Sequence, residues 1–144
     1  MLAGYLALTV AAFFTGAAFY VNFAEQPARL TLDDRALLAE WKPSYKRGFA
    51  MQAPLAIAGF ILGLAAWWFT HRLWFVVGAL LMIANWPWTF FGVMPTNKIL
   101  MAIEVGDAGS RLLIMRWNRL HAVRTAFGGL ALLSFLIALS ICQV

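Results

Sequence analysis

Charged side chains make up only 12% of this 144-residue sequence, whereas hydrophobic residues make up 63%. A soluble domain carries about 25% charged residues, so this chain has about half the usual supply for a surface in water. Its length suits one compact domain. The composition therefore excludes an ordinary soluble protein and predicts a single transmembrane domain over residues 1–144.

Cysteine and histidine are also scarce. The one cysteine, Cys142, excludes an intrachain disulfide and a cysteine-rich metal site. The two histidines, His71 and His121, are not part of an HxxxH or ExxH pair of the kind that binds zinc. We therefore expect no cofactor, and a haem or a metal held by His121 and Glu25 is the alternative.

Four long stretches contain no Asp, Glu, Lys or Arg. They cover residues 1–23, 49–70, 73–97 and 125–144. Each has about 20 residues or more, the length that a helix needs to cross the hydrocarbon core. They lack the polar–apolar alternation of barrel strands. We predict an all-α integral membrane four-helix bundle with spans at about 1–23, 49–70, 73–94 and 120–142.

The connection between spans 1 and 2 predicts a further short helix. Residues 31–34 resemble a capping box, and Leu37, Leu38 and Trp41 follow at helical spacing before Pro43. A short amphipathic helix at the membrane surface is expected there, ending at Pro43.

Three signals predict details of the later spans. Pro87 should kink the third span near residues 84–87. Ser110 is placed to cap a helix that continues without a break into the fourth span. Thr96 or Asn97 is placed to cap the helix before it.

The basic residues predict the orientation. Of eleven Lys and Arg residues, five lie in residues 24–48 and four in residues 98–120. The positive-inside rule puts both connections in the cytoplasm and both termini on the periplasmic side of a bacterial inner membrane. The net charge of +5 thus indicates topology, with the lipid bilayer as partner and no nucleic acid. Gly59 and Gly63 allow close helix contacts within one chain or in a homo-oligomer.

Polar side chains gather at the predicted cytoplasmic ends of all four spans. The candidate site residues are Asn22, Glu25, Tyr45, Asn85, Thr89, Asn97, Trp117, His121 and Arg124. Polar groups at membrane depth are costly unless they pair or line a wet cavity. We therefore predict one pocket that opens toward the cytoplasm. The alternatives are a structural ion-pair cluster and lipid headgroup binding by Arg124.

Each candidate has an expected role. His121 suits proton transfer near neutral pH, and Arg124 lies one helical turn away, where a cation stabilises an oxyanion or enolate. Glu25 is expected to orient the imidazole. Asn85 and Asn97 offer hydrogen bonds to a substrate oxygen.

Several phrases together resemble a known family. They are residues 19–29, residues 41–49, Asn85-Trp-Pro-Trp-Thr89, Pro95-Thr-Asn97 and Trp117-Asn-Arg-Leu-His-Ala-Val-Arg124. They look like those of the anthrone oxygenase-like family of small four-helix membrane proteins. The resemblance implies oxidation of a polyketide anthrone to a quinone without an evident redox cofactor. It also implies catalytic roles for His121 and Arg124.

These observations lead to one principal interpretation and three alternatives. The principal one is a membrane-embedded oxygenase-like enzyme acting on an apolar phenolic or anthrone-type small molecule. His121 and Arg124 would be catalytic, and the other candidates would bind the substrate. The alternatives are a small-molecule transporter, a structural or partner-binding membrane protein, and a haem- or metal-binding membrane protein.

Overall fold

The computed structural model describes residues 1–141, so Cys142 lies outside the described residues. Every regular element in that range is helical. The helices are α1 (Leu2–Tyr20), α2 (Gln26–Arg29), α3 (Asp34–Thr70), α4 (Leu73–Trp88), α5 (Met94–Ala102) and α6 (Ala108–Ser140). Two π-helical turns join neighbours without a break: Val21–Glu25 links α1 to α2, and Thr89–Val93 links α4 to α5.

The described chain thus forms four long helical stretches, which confirms the all-α four-helix prediction. All four are long and apolar enough to cross a membrane; they cover Leu2–Arg29, Asp34–Thr70, Leu73–Ala102 and Ala108–Ser140. Helix α1 packs on α3 and α6, and α4 packs on the same two helices. The end that holds α2, α5 and the starts of α3 and α6 is called the polar end below.

The prediction that Pro43 ends a short helix was wrong. Helix α3 runs from Asp34 to Thr70 through Pro43 and Pro54, so the expected interfacial helix is the first part of a long one. Pro43 removes one helical hydrogen bond, but Trp41 beside it is fully buried in a cluster of apolar side chains. That packing holds the helix together. The N-cap is Asp33, whose carboxylate accepts a hydrogen bond from the Ala36 N–H at 2.9 Å, rather than Thr31.

Two other local predictions are settled at the polar end. Helix α6 is continuous from Ala108 to Ser140, as expected, but its N-cap is Asp107, and Ser110 completes the capping box from the third position. Helix α4 passes through Pro87, and the irregularity follows as the π turn Thr89–Val93. At the end of this turn the Met94 N–H donates to the Thr89 carbonyl oxygen.

Small residues allow the four helices to approach closely away from the polar end. A Cβ atom on Gly63 of α3 would lie 2.9 Å from both Ala79 Cβ of α4 and Phe135 Cε1 of α6. Because carbon atoms do not approach within 3.0 Å without rearrangement, only glycine fits there.

Gly63→Val is expected to destabilise the bundle by about 1–3 kcal/mol, the usual penalty for overpacking a core. Gly16→Val is the matched control, because no atom of residues 1–141 lies within 4 Å of a Cβ placed on Gly16. Both variants put a branched residue into a helix, so the difference between them measures packing. Unfolding by denaturant in detergent micelles, followed by tryptophan fluorescence, gives the two free energies. Equal losses would contradict the packing argument.

Candidate functional site

His121 is held in a defined tautomer by Asn22. The imidazole is only 2% exposed, and its Nδ1 lies 3.0 Å from Asn22 Oδ1. The Asn22 amide cannot be reversed, because its Nδ2 donates to the Asn118 carbonyl oxygen at 3.0 Å and to Asn118 Oδ1 at 2.6 Å. Since Asn22 Oδ1 only accepts hydrogen bonds, Nδ1 of His121 carries the proton. Nε2 of the neutral ring therefore keeps its lone pair and is the basic atom.

Thr125 supports the same arrangement. Its hydroxyl donates to Asn22 Oδ1 at 2.7 Å, so one amide oxygen accepts hydrogen bonds from two residues of α6. On the other side, the Trp117 ring lies 5.0 Å from the imidazole ring. The imidazole is thus fixed by hydrogen bonds and by packing.

Arg124 lies one turn beyond His121 and is a buried cation without a counter-ion in the part of the chain that the structure describes. It is 7% exposed, and its guanidinium carbon lies 5.7 Å from the centre of the Phe14 ring. No side-chain carboxylate of residues 1–141 lies within the 4.0 Å of an ion pair with Arg124. A buried charge without a partner is unfavourable by several kcal/mol. Such a cation is suited to bind an anionic oxygen.

His121 and Arg124 line one cavity of about 390 Å³, a volume that includes its open mouth. Four other candidate residues line it as well: Tyr45, Thr89, Asn97 and Trp117. Asn85 lines an adjoining cavity of about 240 Å³, which shares Thr89 and Arg124 with the first. Asn22 does not line the cavity itself but is hydrogen-bonded to His121, which does. The structure thus brings together most of the candidate residues from four separate stretches.

Two buried amide side chains line the cavity and carry polar atoms that have no hydrogen-bond partner among residues 1–141. Asn97 is 1% exposed, and neither its Oδ1 nor its Nδ2 has a hydrogen-bond partner in the described part of the chain. Gln52 is also 1% exposed, and its Oε1 lacks a partner within residues 1–141. A buried polar atom without a partner costs about 1–3 kcal/mol. Asn97 and Thr96 lie inside α5, so the prediction that one of them caps the helix was wrong.

Glu25 has a different partner from the one expected. Its carboxylate pairs with Arg29 and accepts a hydrogen bond from Ser44, while Arg29 Nε also lies 2.9 Å from Glu40 Oε2. Asn22, and not Glu25, contacts the imidazole. Sequence reasoning missed Arg29, a buried cation at the cavity wall. Its position four residues after Glu25 on a helix was the available signal.

Within residues 1–141, no group of three or more His, Cys, Asp or Glu side chains is placed to hold a metal ion. Glu25 and His121, the two ligands considered from the sequence, belong to separate hydrogen-bond networks.

The fold and the site define a class: a small four-helix membrane protein with a buried histidine and arginine in one cavity at its polar end. The model of the anthrone oxygenase family matches residues 41–134. The sequence is 32% identical to the anthrone oxygenase ptaC of Pestalotiopsis fici, over 63% of this chain and 76% of that relative. The chain belongs to the anthrone oxygenase family, which confirms the resemblance read from its motifs. No solved structure matches it.

Proposed function

We propose that this protein is a membrane-embedded oxygenase of an apolar phenolic or anthrone-type small molecule, with His121 as base and Arg124 as oxyanion partner. Family membership supports an oxygenase-type function. The observation that carries the finer proposal is the presence in one cavity of His121, whose Nδ1 is held by Asn22, and of a buried cation that has no counter-ion among residues 1–141.

The chemistry needs a base and a site for negative charge. An anthrone has a CH₂ group opposite its carbonyl, and Nε2 of His121 removes one of these protons. The electron pair moves to the carbonyl oxygen, where Arg124 stabilises the enolate. Dioxygen accepts electrons from the enolate and a new C–O bond forms at the former CH₂ carbon. Return of the proton gives a hydroperoxide, which loses water to leave the second carbonyl of a quinone. One dioxygen is consumed and one water is released for each substrate.

The remaining polar groups of the cavity position the substrate in this proposal. Asn97 and Gln52 offer hydrogen bonds to its oxygen substituents, because their side-chain atoms lack partners among residues 1–141. Tyr45, Thr89 and Trp117 form the walls around the ring system. Asn85 acts from the adjoining cavity, and Glu25 acts through Arg29.

Turnover of a dihydroxyanthrone by the full-length protein in lipid nanodiscs tests the function. We expect oxygen uptake and quinone absorbance to rise together, with one oxygen consumed per quinone formed. Empty nanodiscs prepared in the same way control for lipid and detergent effects. Oxygen uptake no faster than that of empty nanodiscs would contradict the proposal.

The placement in the membrane is a second part of the proposal. The distribution of Lys and Arg supports a cytoplasmic polar end and periplasmic termini in a bacterial inner membrane. Alkaline phosphatase fused after residue 144 should therefore be active in cells, whereas a fusion in the connection at residues 103–107 should be inactive. The reverse pattern would overturn the orientation.

A further inference from the structure

A groove on the outside of the bundle runs between α1 and α3 beside the cavity. Tyr20, Glu25, Glu40 and Met51 are among the residues that line it. Three residues, Val21, Ser44 and Gly48, line both the groove and the cavity that holds His121 and Arg124. These three residues therefore form the thin wall between the site and the outer surface of the bundle.

Gly48 contributes no side chain to this wall. Apart from the backbone of its own helix, no atom of the described chain lies within 4 Å of a Cβ placed on it. At Gly59 and Gly63 of the same helix, such an atom would lie 2.7 Å from Met82 Cε and 2.9 Å from Phe135 Cε1. Packing thus requires glycine at those two positions and not at Gly48. A glycine inside a helix is about 0.5–1 kcal/mol less favourable than alanine, so Gly48 carries a stability cost that packing does not explain.

The side chains that line the groove change from charged to apolar along its length. Glu25, Glu40 and Arg47 line it toward the polar end, whereas Tyr20 and Met51, which are 59% and 50% exposed, line it toward the middle of the bundle. A charged rim next to apolar side chains fits the boundary between headgroups and hydrocarbon. A flat aromatic molecule with oxygen substituents is amphipathic in the same sense and accumulates at that boundary.

We propose that this groove is a lateral portal, through which the aromatic substrate passes from the membrane past Gly48 to His121 and Arg124. This inference rests on the proposed function. The missing side chain at Gly48 keeps the passage open, and the bilayer supplies the substrate. Ser44 borders the passage while its hydroxyl binds Glu25, which keeps that hydroxyl turned to the ion-pair network.

A Gly48→Leu variant of the full-length protein in nanodiscs tests the portal. Anthraquinone is the probe, and stopped-flow quenching of tryptophan fluorescence follows its binding, because Trp117 lines the cavity. Leucine in the passage should slow association and dissociation together by about tenfold, and leave Kd within about twofold of the wild-type value. Gly16→Leu is the matched control, since no atom in residues 1–141 lies within 4 Å of its added Cβ either.

The other outcomes separate the two proposals. Wild-type rates in a folded Gly48→Leu variant would overturn the portal and leave the proposed function standing. A higher Kd with unchanged or faster dissociation would make Gly48 part of the binding surface, which also overturns the portal. If the wild-type protein shows no saturable quenching, the proposed function fails and the portal with it. Gly48→Ala adds a single methyl group and should slow both rates by about threefold, which decides the matter if leucine prevents folding.

Discussion

His121→Ala is expected to lower the turnover of a dihydroxyanthrone by about 10²–10⁴-fold, the usual contribution of a general base. In the proposed mechanism the imidazole is the base, because Asn22 holds its proton on Nδ1 and leaves Nε2 free to accept one. Initial rates of quinone formation in nanodiscs give the comparison. His71→Asn is the matched control: His71 is exposed at the far end of the bundle, and its φ of 54° suits asparagine.

Two measurements distinguish the loss of the base from a loss of turnover caused by misfolding. His121→Ala leaves Asn22 hydrogen-bonded to Asn118 and Thr125, so the variant should elute as the wild type does in size-exclusion chromatography. Added imidazole should restore part of the rate, since a free base can occupy the space that the side chain left. A folded His121→Ala variant with wild-type turnover would end the assignment of His121 as base.

Arg124→Met is expected to lower turnover by about 10²–10³-fold, as removal of an oxyanion donor does, while it stabilises the protein. Arg124 is buried without a carboxylate partner in residues 1–141. Methionine removes the unfavourable burial of charge and keeps most of the apolar contact, so the free energy of unfolding should rise by about 1 kcal/mol or more. Denaturant titration and quinone assays on one preparation measure both effects.

Arg29→Met is the contrasting variant. Arg29 is 3% exposed and pairs with Glu25 and Glu40, so its loss leaves two carboxylates without their cation. Both carboxylates are partly exposed to solvent, which limits the destabilisation to about 1–3 kcal/mol. If Arg124→Met destabilised the protein as Arg29→Met does, Arg124 would be a structural residue. Arg124→Lys should keep some activity, because it retains the charge without the planar fork.

The sequence was sufficient to predict the four helices and insufficient to predict where they begin. The charge-free stretches found the membrane segments because composition alone separates lipid from water. The error at Pro43 came from treating a local signal as decisive. Trp41, Leu37 and Leu38 pack at the polar end and stabilise a helix that the proline alone would interrupt. Such packing joins residues that are distant in sequence, and no local pattern reports it.

In the candidate site, too, contacts within one helix could be predicted from the sequence and contacts between distant segments could not. His121 and Arg124 lie three residues apart on one helix, so their proximity follows from helical geometry. The contact of Asn22 with His121 joins residues 99 positions apart, and helical spacing on one segment cannot predict it. Asn22 and Glu25 are both candidate residues and lie three residues apart in the first helical stretch. The structure separates them, and the cause is the π turn that contains both.

That π turn changes the rotational phase of the first helical stretch. The buried residues of α1 include Ala11, Phe14 and Ala18, and an uninterrupted α-helix would turn Glu25 to the same side. Instead, Gln26 and Arg29 are the buried residues after the turn. One residue corresponds to about 100° of helix rotation, so the π turn shifts the buried face by one residue and places Gln26 and Arg29 on the side that Ala11, Phe14 and Ala18 occupy. Because a π turn holds one residue more than an α-helical turn, deleting one residue between positions 21 and 25 should leave a regular α-helix in which Gln26 and Arg29 still lie on the buried side.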